Sequence, residues 1–156
     1  MKTLIAYYSR TGLTRKVALK LAAEYGGTME EIRDKADRSG VWGYLKSGKE
    51  AIQKKTTELH HFKNNPADFD LVIVGTPTWA FSISSPIRTF LIENKDSFKK
   101  VAWFSTLGGD GPSKVFDQMS EITGLSPLAT LTVKSKEAFQ DKYQEKLTKF
   151  MAELNK

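Results

Sequence analysis

The chain of 156 residues contains no cysteine, which excludes disulfides, thiolate nucleophiles, iron–sulfur clusters and cysteine-based zinc sites. Its hydrophobic fraction of 40% and charged fraction of 27% are ordinary for a globular protein, and its length predicts one domain over residues 1–156. The net charge of +6 comes from scattered lysines without an arginine-rich block, so nucleic-acid binding is disfavoured.

Apolar runs in this chain are short. The run at residues 4–8 is soon followed by Arg10 and lacks the cleavage site of a signal peptide. The other notable run, at residues 71–74, is too short to cross a bilayer. We therefore expect a cytoplasmic protein without a membrane span.

The first third of the chain predicts a strand, a helix and a second strand. Residues 2–8 are apolar and aromatic, as in a strand, and residues 13–25 repeat apolar side chains at helical spacing. Residues 28–33 alternate between apolar and polar side chains, which indicates a strand at a sheet edge. Residues 34–68 are less regular, with a candidate helix over residues 50–57.

The rest of the chain continues the alternation of strands and helices. The β-branched run at residues 69–75 is typical of a strand buried on both faces of a parallel sheet. The later segments predict helices at 86–93, 113–123 and 137–154 and strands at 100–105 and 128–133. This alternation predicts a doubly wound, five-stranded parallel α/β sheet with helices on both faces, a three-layer αβα arrangement.

Ligands in such a fold bind beyond the carboxyl ends of the strands, so the loops after the strands are the candidate site. The first loop is Ser9-Arg10-Thr11-Gly12-Leu13-Thr14, at a strand-to-helix turn. Unpaired amides and the dipole at a helix N-terminus favour a phosphate, and the hydroxyls add donors. The alternative is a capped helix without a ligand.

Two more loops are predicted at the same end of the sheet. The second contains Pro77, Thr78, Trp79, Ala80 and Phe81, where an exposed tryptophan would offer a platform for a flat ring. Alternatively, Trp79 covers the end of the sheet. The third loop is glycine-rich, which permits close approach to a ligand or makes an ordinary turn, and contains Ser105, Thr106, Leu107, Gly108, Gly109 and Asp110.

At these residues the chain resembles the flavodoxin-like flavoproteins of the short-chain type. The segment S-R-T-G-L-T matches the family's phosphate loop, and G-T-P-T-W and S-T-L-G-G-D-G match its two flavin loops. The resemblance implies the strand order 2-1-3-4-5 and FMN as the cofactor. It implies that Ser9, Thr11 and Thr14 donate hydroxyls to the phosphate, and Arg10, Gly12 and Leu13 donate backbone amides.

The resemblance also implies that Thr78, Trp79 and Ala80 line one side of the flavin ring and that Leu107, Gly108 and Gly109 line the other. Two functions that use a bound flavin remain open. One is a flavodoxin-type electron carrier that meets a redox partner protein. The other is an NAD(P)H-dependent reductase of a small acceptor such as a quinone, with FMN as its cofactor. A fold that has lost its cofactor and serves as an interaction module is a third.

Two departures from the family pattern bear on this choice. Electron-carrying flavodoxins are typically acidic, whereas this chain is basic. The third loop also lacks the aromatic residue that often covers the outer flavin face, and an open face suits a small substrate. Either a monomer or a homodimer is compatible with the sequence.

The irregular segment contains Trp42, Tyr44 and Leu45, which either form a lid or partner surface beside the flavin or pack a crossover helix onto the sheet. His60 and His61 are adjacent and lack partners at metal-ligand spacing, so a solvated helix end is favoured over a metal site.

Overall fold

Five parallel strands form the centre of the protein. The structure is a computed structural model that describes residues 1–109 and 113–156. Side by side, the strands run in the order β2-β1-β3-β5-β6. This order confirms the predicted 2-1-3-4-5 sheet, once the short extra strand β4 (Ser82–Ile83) is set aside. The parallel strands are β1 (Thr3–Tyr7), β2 (Thr28–Glu31), β3 (Leu71–Trp79), β5 (Val101–Leu107) and β6 (Thr130–Lys134).

Helices cover both faces of this sheet and give it two hydrophobic cores. One core is built on α2, α3 and α4 and the other on α1, α5 and α6. Residues 71–74 of β3 are fully buried between them, which is why this strand has no polar face. The helices are α1 (Leu13–Tyr25), α2 (Gly40–Ile52), α3 (Ser85–Asn94), α4 (Val115–Thr123), α5 (Ser135–Phe139) and α6 (Gln144–Leu154).

The prediction of one helix over residues 137–154 is wrong. The chain forms two helices, because Asp141 has a φ of 53°, which a right-handed helix cannot contain. Lys16 fixes this break by donating to the Ala138 carbonyl at 2.7 Å and to the Asp141 carboxylate at 3.2 Å. Phe139 consequently points away from the core and is 72% exposed.

The irregular segment also differs from the sequence prediction. Helix α2 begins at Gly40 and ends at Ile52, rather than covering residues 50–57. Its buried side is narrow and consists of Gly43, Ser47 and Ala51. Small residues at that spacing give a weak hydrophobic signal, so the pattern of large residues did not reveal the helix.

Strand β3 is longer than the predicted strand at residues 69–75, and this matters for the site. It continues through Trp79 and turns back into β4 (Ser82–Ile83), which pairs antiparallel with it. The two turn residues, Ala80 and Phe81, have φ of 47° and 65°. Two-residue hairpins with positive φ at both positions suit the twist of the flanking strands, although glycine or asparagine is the usual occupant.

Candidate functional site

The ends of β1, β3, β5 and β6 meet around one cavity at the carboxyl edge of the sheet. Its volume is about 160 Å³. All three loops predicted from the sequence contribute to it, as the strand order requires. The lining residues are Arg10, Thr11, Leu13, Thr14, Tyr44, Pro77, Thr78, Trp79, Thr106, Gly108 and Ser135.

The first loop presents the N-terminus of α1 to this region. Gly12 is the N-cap residue at a φ of 95°, and it has no side chain with which to cap the helix. The Ser9 hydroxyl takes over part of this role by accepting from the amides of Gly12 at 3.1 Å and Arg15 at 3.2 Å. The first turn of α1 contains no acidic residue, so the helix dipole is not offset by a local carboxylate.

A buried hydrogen bond joins the first loop to the third. The hydroxyls of Thr14 and Thr106 lie 2.8 Å apart, and both residues are buried. Thr14 thereby fixes the start of α1 against the end of β5. The backbone amide of Thr14 lies in the first turn of the helix, where amides have no helical partner, whereas the Thr14 hydroxyl already bonds with Thr106.

Trp79 is not the exposed platform that the sequence suggested. Its side chain is only 9% exposed. The Tyr8 ring meets it edge-on with centroids 5.4 Å apart, and the Arg38 guanidinium carbon lies 5.0 Å from its centroid. Trp79 still lines the cavity, but its orientation is fixed by these two neighbours before any ligand arrives.

A cluster of buried charged side chains packs against Trp79 through Arg38. Arg38 forms ion pairs of 2.8 Å with Asp34 and with Glu50, so the cluster carries one net negative charge. Burial, with a further contribution from the Asp34 carboxylate, raises the pKa of Tyr8 to about 12. Tyr8 therefore stays neutral across the physiological range.

The hydroxyl of Thr78 is the unusual polar group of the site. Its Oγ1 atom is buried and has no hydrogen-bond partner in the described part of the chain. A buried hydroxyl left without a partner costs on the order of 1–3 kcal/mol, so such groups are uncommon and call for an explanation. Thr78 also lines the cavity, so rotation of its side chain would present this unsatisfied hydroxyl to a ligand there.

Helix α2 is attached to the first loop through Arg10. The Arg10 side chain donates to the carbonyls of Arg38 and Gly40, both at 2.9 Å. Its guanidinium carbon also lies 5.6 Å from the centroid of the Tyr44 ring. These contacts place Tyr44, which is 65% exposed, at the rim of the cavity.

The other aromatic and apolar residues of α2 do not pack the helix onto the sheet. Trp42 is 84% exposed, and Leu45 is exposed as well. Of the two alternatives drawn from the sequence, packing onto the sheet is therefore wrong for these side chains.

The family of the protein follows from a comparison with known sequences. The sequence profile described as Flavodoxin matches residues 2–126, which is most of the chain. The chain belongs to the flavodoxin family. Flavodoxins bind FMN, which confirms the cofactor predicted from the sequence. No curated protein matches the chain at a significant level.

Solved flavodoxin-like structures share the architecture of this family member over nearly the whole chain. A flavoprotein from Lactobacillus acidophilus NCFM, in complex with FMN, is 26% identical with a TM-score of 0.70, covering 91% of this chain and 97% of its own. The apo-form of the flavoprotein from the same organism is 28% identical with a TM-score of 0.66, covering 91% and 96%. Oxidised flavodoxin 1 from Bacillus cereus is 18% identical with a TM-score of 0.54, covering 98% and 96%.

Of the seventeen residues that the sequence suggested for the site, nine line this cavity. Several predicted residues do not line the cavity itself: Ser9 and Gly12 belong to the first loop but are not part of the lining, Ser105 is buried within β5, and Gly109 is exposed. Ala80, Phe81 and Leu107 also lie outside its lining, and Asp110 lies outside the described residues. Ser135 was missed, although it directly follows β6 and the strand-end rule that found the other loops also applies there.

The donor set of the flavodoxin site fits FMN. A helix N-terminus without an acidic residue suits the phosphate, and an unpartnered buried hydroxyl suits a polar edge of the ring system. Among residues 1–109 and 113–156, no group of three or more histidine or acidic side chains could hold a metal ion. In the same residues, no helix is both long and apolar enough to cross a membrane.

Proposed function

We propose that this chain binds FMN at the carboxyl edge of the sheet, where the cavity forms one part of the site, and transfers electrons through the bound flavin. The observation that carries the proposal is the buried, unpartnered Thr78 hydroxyl, which shares a cavity with the first turn of α1, where no acidic residue offsets the helix dipole. FMN supplies the redox chemistry when it is bound, so no protein acid or base is needed. The protein's part is to bind, orient and shield it.

The phosphate end is held at the start of α1. The amides of Leu13 and Thr14 point out of the first turn, where the helix dipole favours an anion. The Thr11 hydroxyl is exposed and free to add a donor, and the Ser9 hydroxyl can donate while it accepts from two amides. Neutral donors of this kind bind a phosphate without a lysine.

The ring end is oriented by the ends of β3 and β5. Thr78 offers its hydroxyl to a polar ring edge, and the buried Trp79 provides a wall that its contacts with Tyr8 and Arg38 keep rigid. Gly108 lines the opposite side without a side chain. A pre-oriented wall lowers the entropy cost of binding a flat ligand.

The partner that exchanges electrons with the flavin is either a redox protein or a small acceptor such as a quinone. The net charge of +6 suits an acidic protein partner or an anionic small molecule. A reductase of a small acceptor is favoured by a second cavity beside the first, between α2 and the β3–β4 hairpin. An enzyme with NAD(P)H as the reductant remains the second candidate for this reason.

The test of FMN binding compares FMN with riboflavin, which lacks the phosphate. Flavin fluorescence titrations of the purified apo-protein should give a lower Kd for FMN than for riboflavin. Thr11→Ala should raise the Kd of FMN about fivefold or more, since a hydrogen bond to a charged group contributes about 1 kcal/mol or more. The Kd of riboflavin should stay the same.

Thr148→Ala serves as the matched control, because Thr148 is an exposed threonine on the distant helix α6. It should change neither constant. Equal Kd values for FMN and riboflavin in the wild-type protein would contradict the phosphate assignment, and no binding of either flavin at micromolar concentration would overturn the proposed function.

A further inference from the structure

A second, larger cavity lies next to the proposed flavin site. It is a groove of about 440 Å³ between α2 and the hairpin formed by β3 and β4, within the size range of small-molecule sites. The lining is mostly apolar or aromatic on its two walls. The lining residues are Tyr44, Leu45, Gly48, Lys49, Ile52, Gln53, Thr78, Trp79 and Ala80.

The groove adjoins the flavin cavity. Tyr44, Thr78 and Trp79 line both of them, so a ligand in the groove would lie directly beside a ligand in the cavity. The exposed apolar side chains of Leu45 and Ile52 form the outer wall of the groove. Large apolar side chains that stay exposed on one helix face next to a cavity are characteristic of a binding site.

The charge along the lining of the groove is positive. Lys49 lines it and forms no ion pair within the described residues, and no acidic side chain lines it in that part of the chain. Glu50 follows Lys49 in the helix but is paired with the buried Arg38. Gln53 adds one neutral amide at the rim.

From these features we infer that the groove binds a flat aromatic molecule that carries one anionic substituent, with its rings against Tyr44 and Trp79 and its anion at Lys49. The inference rests on the proposed function, because it assigns the groove to the small acceptor of the flavin. Its apolar walls match aromatic rings, and its single unpaired cation matches one negative charge. The acceptor of the flavin is then a small aromatic anion and not a protein.

Gly48 makes the groove testable without damage to the fold. It lies in the middle of α2 and lines the groove, and a Cβ atom placed on it would meet no atom within 4 Å. Methionine at this position would therefore project into the groove. Because glycine is a poor residue for a helix interior, Gly48→Met should raise the melting temperature of the protein.

The experiment measures the binding of anthraquinone-2-sulfonate by isothermal titration calorimetry to both apo-protein and FMN-saturated protein. The wild type should bind the probe in both states. Gly48→Met should raise the Kd of the probe about tenfold or more while the Kd of FMN stays constant. Lys49→Gln should raise the Kd of anthraquinone-2-sulfonate about threefold, as expected for loss of an exposed ion pair. The Kd of uncharged 2-(hydroxymethyl)anthraquinone should not change.

Lys46→Gln is the matched control for Lys49→Gln, because Lys46 is exposed on the same helix but does not line the groove. It should leave probe binding unchanged. Displacement of the probe by FMN, or equal weakening of FMN and probe by Gly48→Met, would show that the flavin occupies the groove and would overturn the inference. Unchanged probe binding in Gly48→Met would also overturn it.

A failure of the proposed function gives a different result. The protein would then bind no FMN, while the apo-protein measurements on Gly48→Met and Lys49→Gln would still decide whether the groove binds an aromatic anion.

Discussion

The substitution Thr78→Val should stabilise the ligand-free protein and weaken FMN binding at the same time. Valine keeps the shape of threonine but removes the hydroxyl. In the ligand-free structure that hydroxyl is buried without a partner, so its removal relieves a desolvation cost and breaks no hydrogen bond between described residues. In the flavin complex, the same hydroxyl is expected to bond with the ligand.

The size of both effects follows from the energy of a buried hydroxyl. Relief of the unsatisfied group should raise the free energy of unfolding by about 1 kcal/mol, the low end of the usual range. For a chain of this length, that corresponds to an increase in Tm of about 2–4 °C. Loss of a hydrogen bond worth about 1 kcal/mol should raise the Kd of FMN about fivefold.

Thr76→Val is the matched control. The Thr76 hydroxyl is also buried, but it donates to the Pro77 carbonyl at 2.8 Å, lies 3.0 Å from the Ser84 hydroxyl and accepts from the Ser84 amide at 3.2 Å. Its removal should lower stability by about 1–3 kcal/mol. Thermal denaturation of both variants and flavin titration of Thr78→Val test the pair. A Thr78→Val protein that is less stable without flavin would refute the reasoning.

Other substitutions test the fold around the site. Phe81→Gly should stabilise the protein by up to about 1 kcal/mol in urea denaturation, because glycine accepts the positive φ of the hairpin turn without strain; a loss of stability would instead assign a packing role to the exposed ring. Gly75→Ala should destabilise it by about 1–3 kcal/mol, since the new methyl group would overlap the Phe104 ring, and Phe104→Leu in the same chain should recover part of the loss. Burial raises the pKa of Tyr8 from 10.0 to about 12, so its contribution to stability is full below pH 10 and is lost as the pH rises towards 12. Tyr8→Phe should therefore lose less stability than the wild type between those pH values, and identical pH profiles would contradict the assignment.

The strand pattern in the sequence was sufficient to predict the sheet, because buried parallel strands require continuous apolar runs such as residues 71–74. The positions of the three loops followed from the same pattern. The break between α5 and α6 was not predictable, since it depends on a left-handed Asp141 and on contacts from Lys16, more than a hundred residues away. Helix α2 was missed because only small residues mark its buried side.

The sequence predicted part of the lining of the candidate site, but not its geometry. The position of Trp79 after the buried strand indicated that it would lie near a ligand, but its burial depends on Tyr8 and on the Arg38 cluster, which come from separate parts of the chain. The groove beside the flavin cavity was equally hidden, because it exists only where α2 faces the β3–β4 hairpin. Such features arise from contacts between distant segments and leave no local pattern.

The central claim is that the start of α1 binds the phosphate of FMN. Two-dimensional ¹H–¹⁵N NMR of the labelled protein tests it directly, by comparing amide shifts on addition of FMN and of riboflavin. We predict that the amides of Gly12, Leu13 and Thr14 shift strongly with FMN and far less with riboflavin, while the amide of Thr78 shifts with both. Equal shifts of the Gly12–Thr14 amides with the two flavins, or none with FMN, would contradict the claim.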